Sequence, residues 1–273
     1  MDKAILDSSC DFRSLTIDVI SSDEVGRHTN EVVRIFNSYG TVIIAFQLDE
    51  EPREQLLCFK QIFGSTLPHD RADRDMIAEI AVSTDFQGYL GTSNLEHDFH
   101  TDGAYDEVPP CAIALRCETM ARSGGITKIA SAEALYCFLV QKDKKLADAL
   151  FVSNALSVER AGRRTSQPVF RRTGNRIMIR YRWDKTSTSS HDPDVREAMR
   201  AIEGYLECRE NYLAFPLLPR HVLITDNTRT LHARTAFSRE DPRKLHRLFF
   251  SGDSASSIGL QFGFQPEELV TLK

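Results

Sequence analysis

Residues 96–105 read EHDFHTDGAY, and three potential metal ligands, His97, His100 and Asp102, lie close together in this stretch. On an extended segment, side chains two positions apart point the same way, so His100 and Asp102 can hold one ion together. His97 and Asp98 do not share that spacing with each other. A third ligand must come from elsewhere, and the run LITDNTRTLHARTAF supplies His232 where a strand gives way to a loop. Two imidazoles and one carboxylate on one face of an ion leave positions open for other ligands. That is the facial arrangement of non-haem Fe(II) oxygenases, unlike a closed structural zinc site. Richness in His and Asp is not enough by itself. His191-Asp192-Pro193-Asp194 is equally rich, yet it reads as a helix N-cap with Pro in the first turn.

Downstream of His232, the segment RKLHRLFF carries Arg243 and Arg247. As a strand it puts Arg243, Leu245 and Arg247 on one face, with Lys244 and His246 on the other. Arginines facing a barrel interior would be uncompensated buried charges unless an anion meets them. A dicarboxylate, bound to the metal at one end and to a guanidinium fork at the other, satisfies that need.

The remainder of the chain is consistent with a barrel. Thr41–Leu48 reads as a buried strand, between a helix running from Ser22-Asp23 to about Ser38 and a helical stretch over 50–63. Short strands are expected at 77–82, 112–117, 126–130, 169–171, 176–182, 212–215, 221–225 and 245–251. Helices are expected at 131–150, in one piece or two, and at 193–209. The segments around 65–100 and 183–193 are too long for tight turns and read as lid-like loops. Many short strands with long polar loops predict an α+β fold, a jelly-roll-like barrel with helices packed outside it, in one domain over 1–273.

The chain has 273 residues, 34 Lys and Arg against 39 Asp and Glu, and a net charge of −5, which argues against nucleic acid as partner. No apolar run approaches the ~20 residues of a spanning helix, so no membrane partner is expected. The N-terminus has no apolar secretory core. Six cysteines lack CxxC spacing and read as reduced thiols, so a cytoplasmic setting is expected.

FHTDGAY, SGGITKIAS, ITDNTRTLHARTAF and RKLHRLFF, in that order and spacing, resemble the taurine dioxygenase/TfdA family of Fe(II)- and 2-oxoglutarate-dependent oxygenases, in the clavaminate synthase-like group. The N-terminal stretch ending in CFKQIFG is also similar, so the resemblance covers about 14–251. It implies a double-stranded β-helix (jelly-roll, cupin-like) core with flanking helices, a helix-strand-helix part over about 14–64 and a barrel over about 76–251. It implies His100, Asp102 and His232 as iron ligands, with 2-oxoglutarate and O2 as cosubstrates. Thr127 matches the threonine that hydrogen-bonds the oxoacid. Arg243 matches the arginine that pairs with its distal carboxylate, and Arg247 matches a second arginine near the oxoacid or an anionic substrate. No catalytic group beyond the triad is implied. Halogenating relatives typically lack the triad carboxylate, so Asp102 favours hydroxylation, desaturation, epoxidation or ring formation. The stretch from Tyr181 to Asp192 has no close match, and HAR after the metal-site histidine is similar to the butyrobetaine and amino-acid hydroxylase branches.

For substrate, Arg180 and Arg182 share a face of the strand IRYRW by period 2 and point to a small, carboxylate-bearing molecule. Glu96 and His97 precede the ligand loop and are candidates for a substrate amine. Asp226-Asn227 is expected to fix the turn before His232. The alternatives are a metal-dependent hydrolase or isomerase on the same barrel, and a non-enzymatic barrel that binds small acids. The substrate itself and the oligomeric state are left open.

Overall fold

The computed structural model describes residues 6–83, 90–160 and 162–266. In chain order the strands are β1 (Thr16–Val19), β2 (Thr41–Phe46), β3 (Thr66–Leu67), β4 (Ile77–Ala81), β5 (His97–His100), β6 (Ala112–Thr119), β7 (Thr127–Ser131), β8 (Leu156–Arg160), β9 (Arg163–Gln167), β10 (Phe170–Thr173), β11 (Arg176–Ile179), β12 (Ser187–Ser189), β13 (Tyr212–Phe215), β14 (His221–Asp226), β15 (Thr230–Arg234) and β16 (Lys244–Phe250). The helices are α1 (Thr29–Tyr39), α2 (Pro52–Leu57), α3 (Lys60–Phe63), α4 (Ala132–Lys142), α5 (Lys144–Ala149), α6 (Pro193–Glu207) and α7 (Ala255–Ile258).

A wide sheet runs β1-β2-β14-β6-β16-β3, with β4 also on β16, and a second sheet runs β13-β7-β15-β5. Together they make the jelly-roll core of an α+β fold. All six residues of β2 are buried. A continuous apolar run of this kind suits a strand covered on both faces, and β2 lies between β1 and β14. The wide sheet is covered by α1, whose Val32, Ile35 and Phe36 are buried at helical spacing. Each such side chain contributes about 1.5–3 kcal/mol through burial. Gly40, at φ +74°, ends α1 and donates its N–H to the Phe36 carbonyl, a left-handed cap that glycine adopts without strain. A second apolar cluster joins the four-stranded sheet to α4, α5 and α6 through Leu135, Leu146, Ile202 and Leu231. Asp192 caps α6, accepting from the Asp194 and Val195 N–H groups, with Pro193 in the first turn.

Several boundaries differ from expectation. The helix expected from residue 22 begins as a 3-10 turn over Ser22–His28 and becomes α-helical only at Thr29. The stretch 50–63 is two short helices, interrupted at Cys58 and Phe59. The strand expected over 176–182 ends at Ile179. The presumed loop 183–193 contains β12, which joins β8 and β9 in a three-stranded sheet. The stretch 65–100, read as a long loop around the expected strand at 77–82, holds that strand as β4 and also β3 and β5, and its residues 84–89 are outside those described. β1 and β2 belong to the wide sheet, so the segment 14–64 and the barrel share one sheet.

Candidate metal centre

Strand pairing brings the distant ligands together. In the β15–β5 ladder His232 sits directly across from His100, and in the β15–β7 ladder Arg234 sits across from Thr127. The pleat sends His232 and Arg234 to the same face, toward one cavity lined also by His97, His100, Asp102, Thr127, Arg243 and Arg247. Ligand atoms of His100, Asp102 and His232 all lie within 4.8 Å of one another, the one such group among the described residues. His100 Nε2 is 3.7 Å and His232 Nε2 is 3.8 Å from the Asp102 carboxylate.

The surroundings orient these side chains. His100 Nδ1 is 2.8 Å from the Asp98 carbonyl. A carbonyl only accepts, so Nδ1 carries the proton and the Nε2 lone pair is left facing the cluster. That Nε2 is buried and has no hydrogen-bond partner among the described residues, which is the condition of a ligand nitrogen awaiting an ion. Asn227 clamps the backbone of Asp102 from both sides: its Oδ1 accepts the Asp102 N–H at 2.8 Å, and its Nδ2 donates to the Asp102 and Pro110 carbonyls, each at 2.9 Å. Asp226 accepts from the Thr228 and Gly263 N–H groups and holds the turn that leads into β15.

Charge is tuned in the same direction. Burial alone would raise the Asp102 carboxyl, but Arg247, His100 and His232 more than reverse this and hold it well below its usual range. Burial, then neighbouring His100, lowers His232 to about 3, so it stays neutral and able to donate its lone pair. Two imidazoles, of which His232 is held neutral, and an ionised carboxylate form a donor set that fits a divalent ion.

Arg243 is 7% exposed, lies in this cavity and has neither a carboxylate partner nor a hydrogen bond among the described residues. Burial lowers its guanidinium to about 10. It sits just before β16, where the register shifts between Lys244 and Leu245, and still shares the cavity with Leu245 and Arg247. Arg247 is engaged: Nη1 donates to both Asp102 oxygens at 2.9 and 3.1 Å, and Nη2 donates to His69 Nε2 at 3.0 Å. The Gly124-Gly125 turn closes beside Arg243. At Gly124, φ +72°, a Cβ would fall 2.1 Å from the Ala236 carbonyl oxygen, so only glycine fits.

The four residues suggested for substrate separate. His97 lines the cavity, stacked on His100 with ring centroids 4.0 Å apart. Glu96 is instead ion-paired to Lys128 at 2.8 Å on the other face of the sheet. Arg180 donates to the Gly103 and Asp106 carbonyls and so anchors the loop after Asp102. Arg182 is buried, paired with Asp184 at 2.7 Å, and bridges His100 through its backbone. Neither Arg180 nor Arg182 lines the cavity. Two residues escaped the sequence reading. Arg234 is buried, donates to the Ser93 and Leu95 carbonyls and lies over the Phe237 ring, as Arg243 does. Its spacing of two from His232 was the signal. His69, which receives a hydrogen bond from Arg247, sits in no motif.

The chain was compared with known proteins. Residues 13–249 match the family model described as taurine catabolism dioxygenase TauD, TfdA family. A curated relative, a trimethyllysine dioxygenase of Meyerozyma guilliermondii, is 26% identical over 162 residues, 54% of this chain and 40% of the relative. The matched stretch thus spans less than half of that relative's length. Among solved structures, an asparagine oxygenase in complex with Fe(II), 3-hydroxyasparagine and succinate aligns with TM-score 0.64 at 15% identity, over 89% of this chain and 96% of that one. The non-heme iron oxygenase OrfP in complex with Fe and alpha-ketoglutaric acid aligns with TM-score 0.66 at 14% identity, over 89% and 90%. A further OrfP complex contains Fe, succinate and (3S)-hydroxy-L-Arg. At these identities the likeness is one of fold.

Proposed function

The chain belongs to the taurine catabolism dioxygenase TauD, TfdA family, and from that premise we propose that it is an Fe(II)- and 2-oxoglutarate-dependent oxygenase acting on a small amino acid or related molecule. The observation that carries this is Arg243, a buried guanidinium with no anionic partner among the described residues, sharing one cavity with His100, Asp102 and His232. Burial of an uncompensated charge is costly, and a dicarboxylate removes the cost. A metal-dependent hydrolase would leave Arg243 without a role.

In this assignment His100 and His232 Nε2 and an Asp102 oxygen hold the iron, and Asp98 and Asn227 keep those groups in place. Arg243 and Thr127 take the far carboxylate of the oxoacid, with Arg234 adding positive charge beside it. Arg247 keeps Asp102 ionised and fixes its orientation. When bound, iron and the oxoacid supply, with O2, the oxidising power for attack on a C–H bond, with succinate and CO2 as coproducts. The buried cavity limits water around the reacting groups. No general base is assigned. Asp102 fills the position a halide would need, so the outcome is hydroxylation, desaturation or ring formation. His97 is the residue we assign to contact with substrate. The hydroxyasparagine and hydroxyarginine in the complexes of its fold neighbours support an amino-acid substrate.

We take the chain to act as one domain. No disulfide joins any of the six cysteines, and burial raises the thiols of Cys58, Cys111 and Cys117 to about 12, 11 and 11, which supports a reducing, cytoplasmic setting. No helix among the described residues is long and apolar enough to cross a membrane.

The test is succinate release from 2-oxoglutarate with Fe(II), screened over amino acids. At least one amino acid should stimulate release well above the rate without substrate, with oxidised product by mass spectrometry. Chlorinated product in the presence of chloride would contradict the role given to Asp102.

A further inference from the structure

The four-stranded sheet has a second opening, of about 310 Å³, on the face turned away from the triad and beside α6. Chain neighbours divide between the two: His97, His100 and Thr127 line the first, while Asp98, Phe99 and Lys128 line the second. The walls of the second are aromatic and acidic at once. Phe99, Trp183 and Tyr212 contribute rings, and Asp98, Glu203 and Glu207 contribute carboxylates.

Little inside the protein answers that negative charge. Lys128 spends its ammonium on Glu96 at 2.8 Å and lies 5.7 Å from the Tyr212 ring centroid. Glu203 accepts only the Trp183 indole N–H, at 2.7 Å. Asp98 and Glu207 have no cation partner among the described residues.

An independent observation comes from Tyr181. Only 2% of this residue is exposed, it lines the opening, and its hydroxyl has no hydrogen bond to any described residue. The charges that act on it are those of Glu203 and Asp98, both walls of the same opening. The hydroxyl is not sealed among the unpartnered buried polar atoms, so it meets the opening itself and can bond a ligand there.

A bare metal ion does not fit. Among the described residues only the His100, Asp102 and His232 group gathers three ligand atoms closely enough. Carboxylates spread around aromatic walls suit a larger cation with an apolar body, since rings attract cations and the volume matches small-ligand sites. We propose that this opening binds an organic ammonium or guanidinium compound of amino-acid size, held by Asp98, Glu203 and Glu207 between the aromatic walls, with Tyr181 completing its hydrogen bonds. The two openings share β5, and His100 is bonded to the carbonyl of the same Asp98 whose side chain lines the second.

Trp183 is the only tryptophan in the chain, so its emission reports on this opening directly. The full chain is titrated with agmatine, by tryptophan emission and by calorimetry, against 1-pentanol and matched sodium chloride. Saturable agmatine binding is expected with Kd below about 1 mM, and none for the alcohol or the salt. The Glu203→Gln/Glu207→Gln variant should weaken binding at least about tenfold, and Glu207→Gln alone, on the exposed side of α6, about threefold. Tyr181→Phe should weaken it a few-fold with an unchanged circular dichroism spectrum. Absence of saturable binding by both methods, or binding that Glu207→Gln and the double variant leave unchanged, overturns the proposal. The titration needs neither iron nor 2-oxoglutarate, so its result is independent of the function assigned to the triad.

Discussion

β5 and β15 on one sheet and β16 on the other face the same cavity with different chemistry. The first pair delivers imidazoles whose nitrogens are individually oriented, His100 by the Asp98 carbonyl and His232 by its place across the ladder from His100. β16 and the residue before it deliver guanidinium groups, one spent on Asp102 and one without an anionic partner among the described residues. Burial acts on both sides but with different consequences. It keeps His232 neutral, which is what a metal needs, while it cannot discharge an arginine, whose charge persists and demands an anion. In the function proposed above, one sheet serves a cation and the facing strand a carboxylate.

The widest separation between the two sides should appear in variants. His232→Ala removes a ligand, and turnover should fall at least ~10³-fold with loss of bound iron, while the circular dichroism spectrum is retained. Arg243→Ala should leave iron binding intact and raise the KM for 2-oxoglutarate by roughly 10- to 100-fold, since a charge-assisted hydrogen bond contributes about 1.5–3 kcal/mol. An unchanged oxoacid dependence, or loss of iron in the arginine variant, would erase the distinction. A smaller effect separates the sides by pH. The folded His232 lies near 3 and the unfolded imidazole near 6.5, so the stability tied to its neutral form is complete above about pH 6.5 and declines as pH falls toward 3. For the iron-free protein this amounts to on the order of 2 kcal/mol between pH 7 and pH 5, or roughly 4–8 °C in Tm. The His232→Ala protein should show a shallower decline in thermal melts over the same range.

Much of this was legible because it rests on short-range rules. The spacing of His100 and Asp102 marked the pair, although β5 ends at His100 and Asp102 stands in the turn after it; the buried β2 reads directly from TVIIAF, and the Asp192-Pro193 cap is as written. The burial of Arg243 was legible as a charge on a strand face turned to the barrel interior. What was hidden depends on long-range packing. β8 and β9 read LSVER and RRTSQ, whose charged residues mask their strand character until β12 completes the small sheet. Arg180 looked like a substrate arginine because its strand seemed to run on to Arg182. With the strand ending at Ile179, its guanidinium reaches carbonyls 74 and 77 positions away, a contact that no local pattern encodes.

The most direct test of the central claim is an anaerobic titration of the iron-loaded chain with 2-oxoglutarate, followed by visible absorption. A weak charge-transfer band should grow and saturate in the native protein, require far more oxoacid in Arg243→Ala, and be absent in His232→Ala. A native protein that takes up Fe(II) yet develops no such band at saturating 2-oxoglutarate would contradict the assignment of this cavity to iron and an oxoacid.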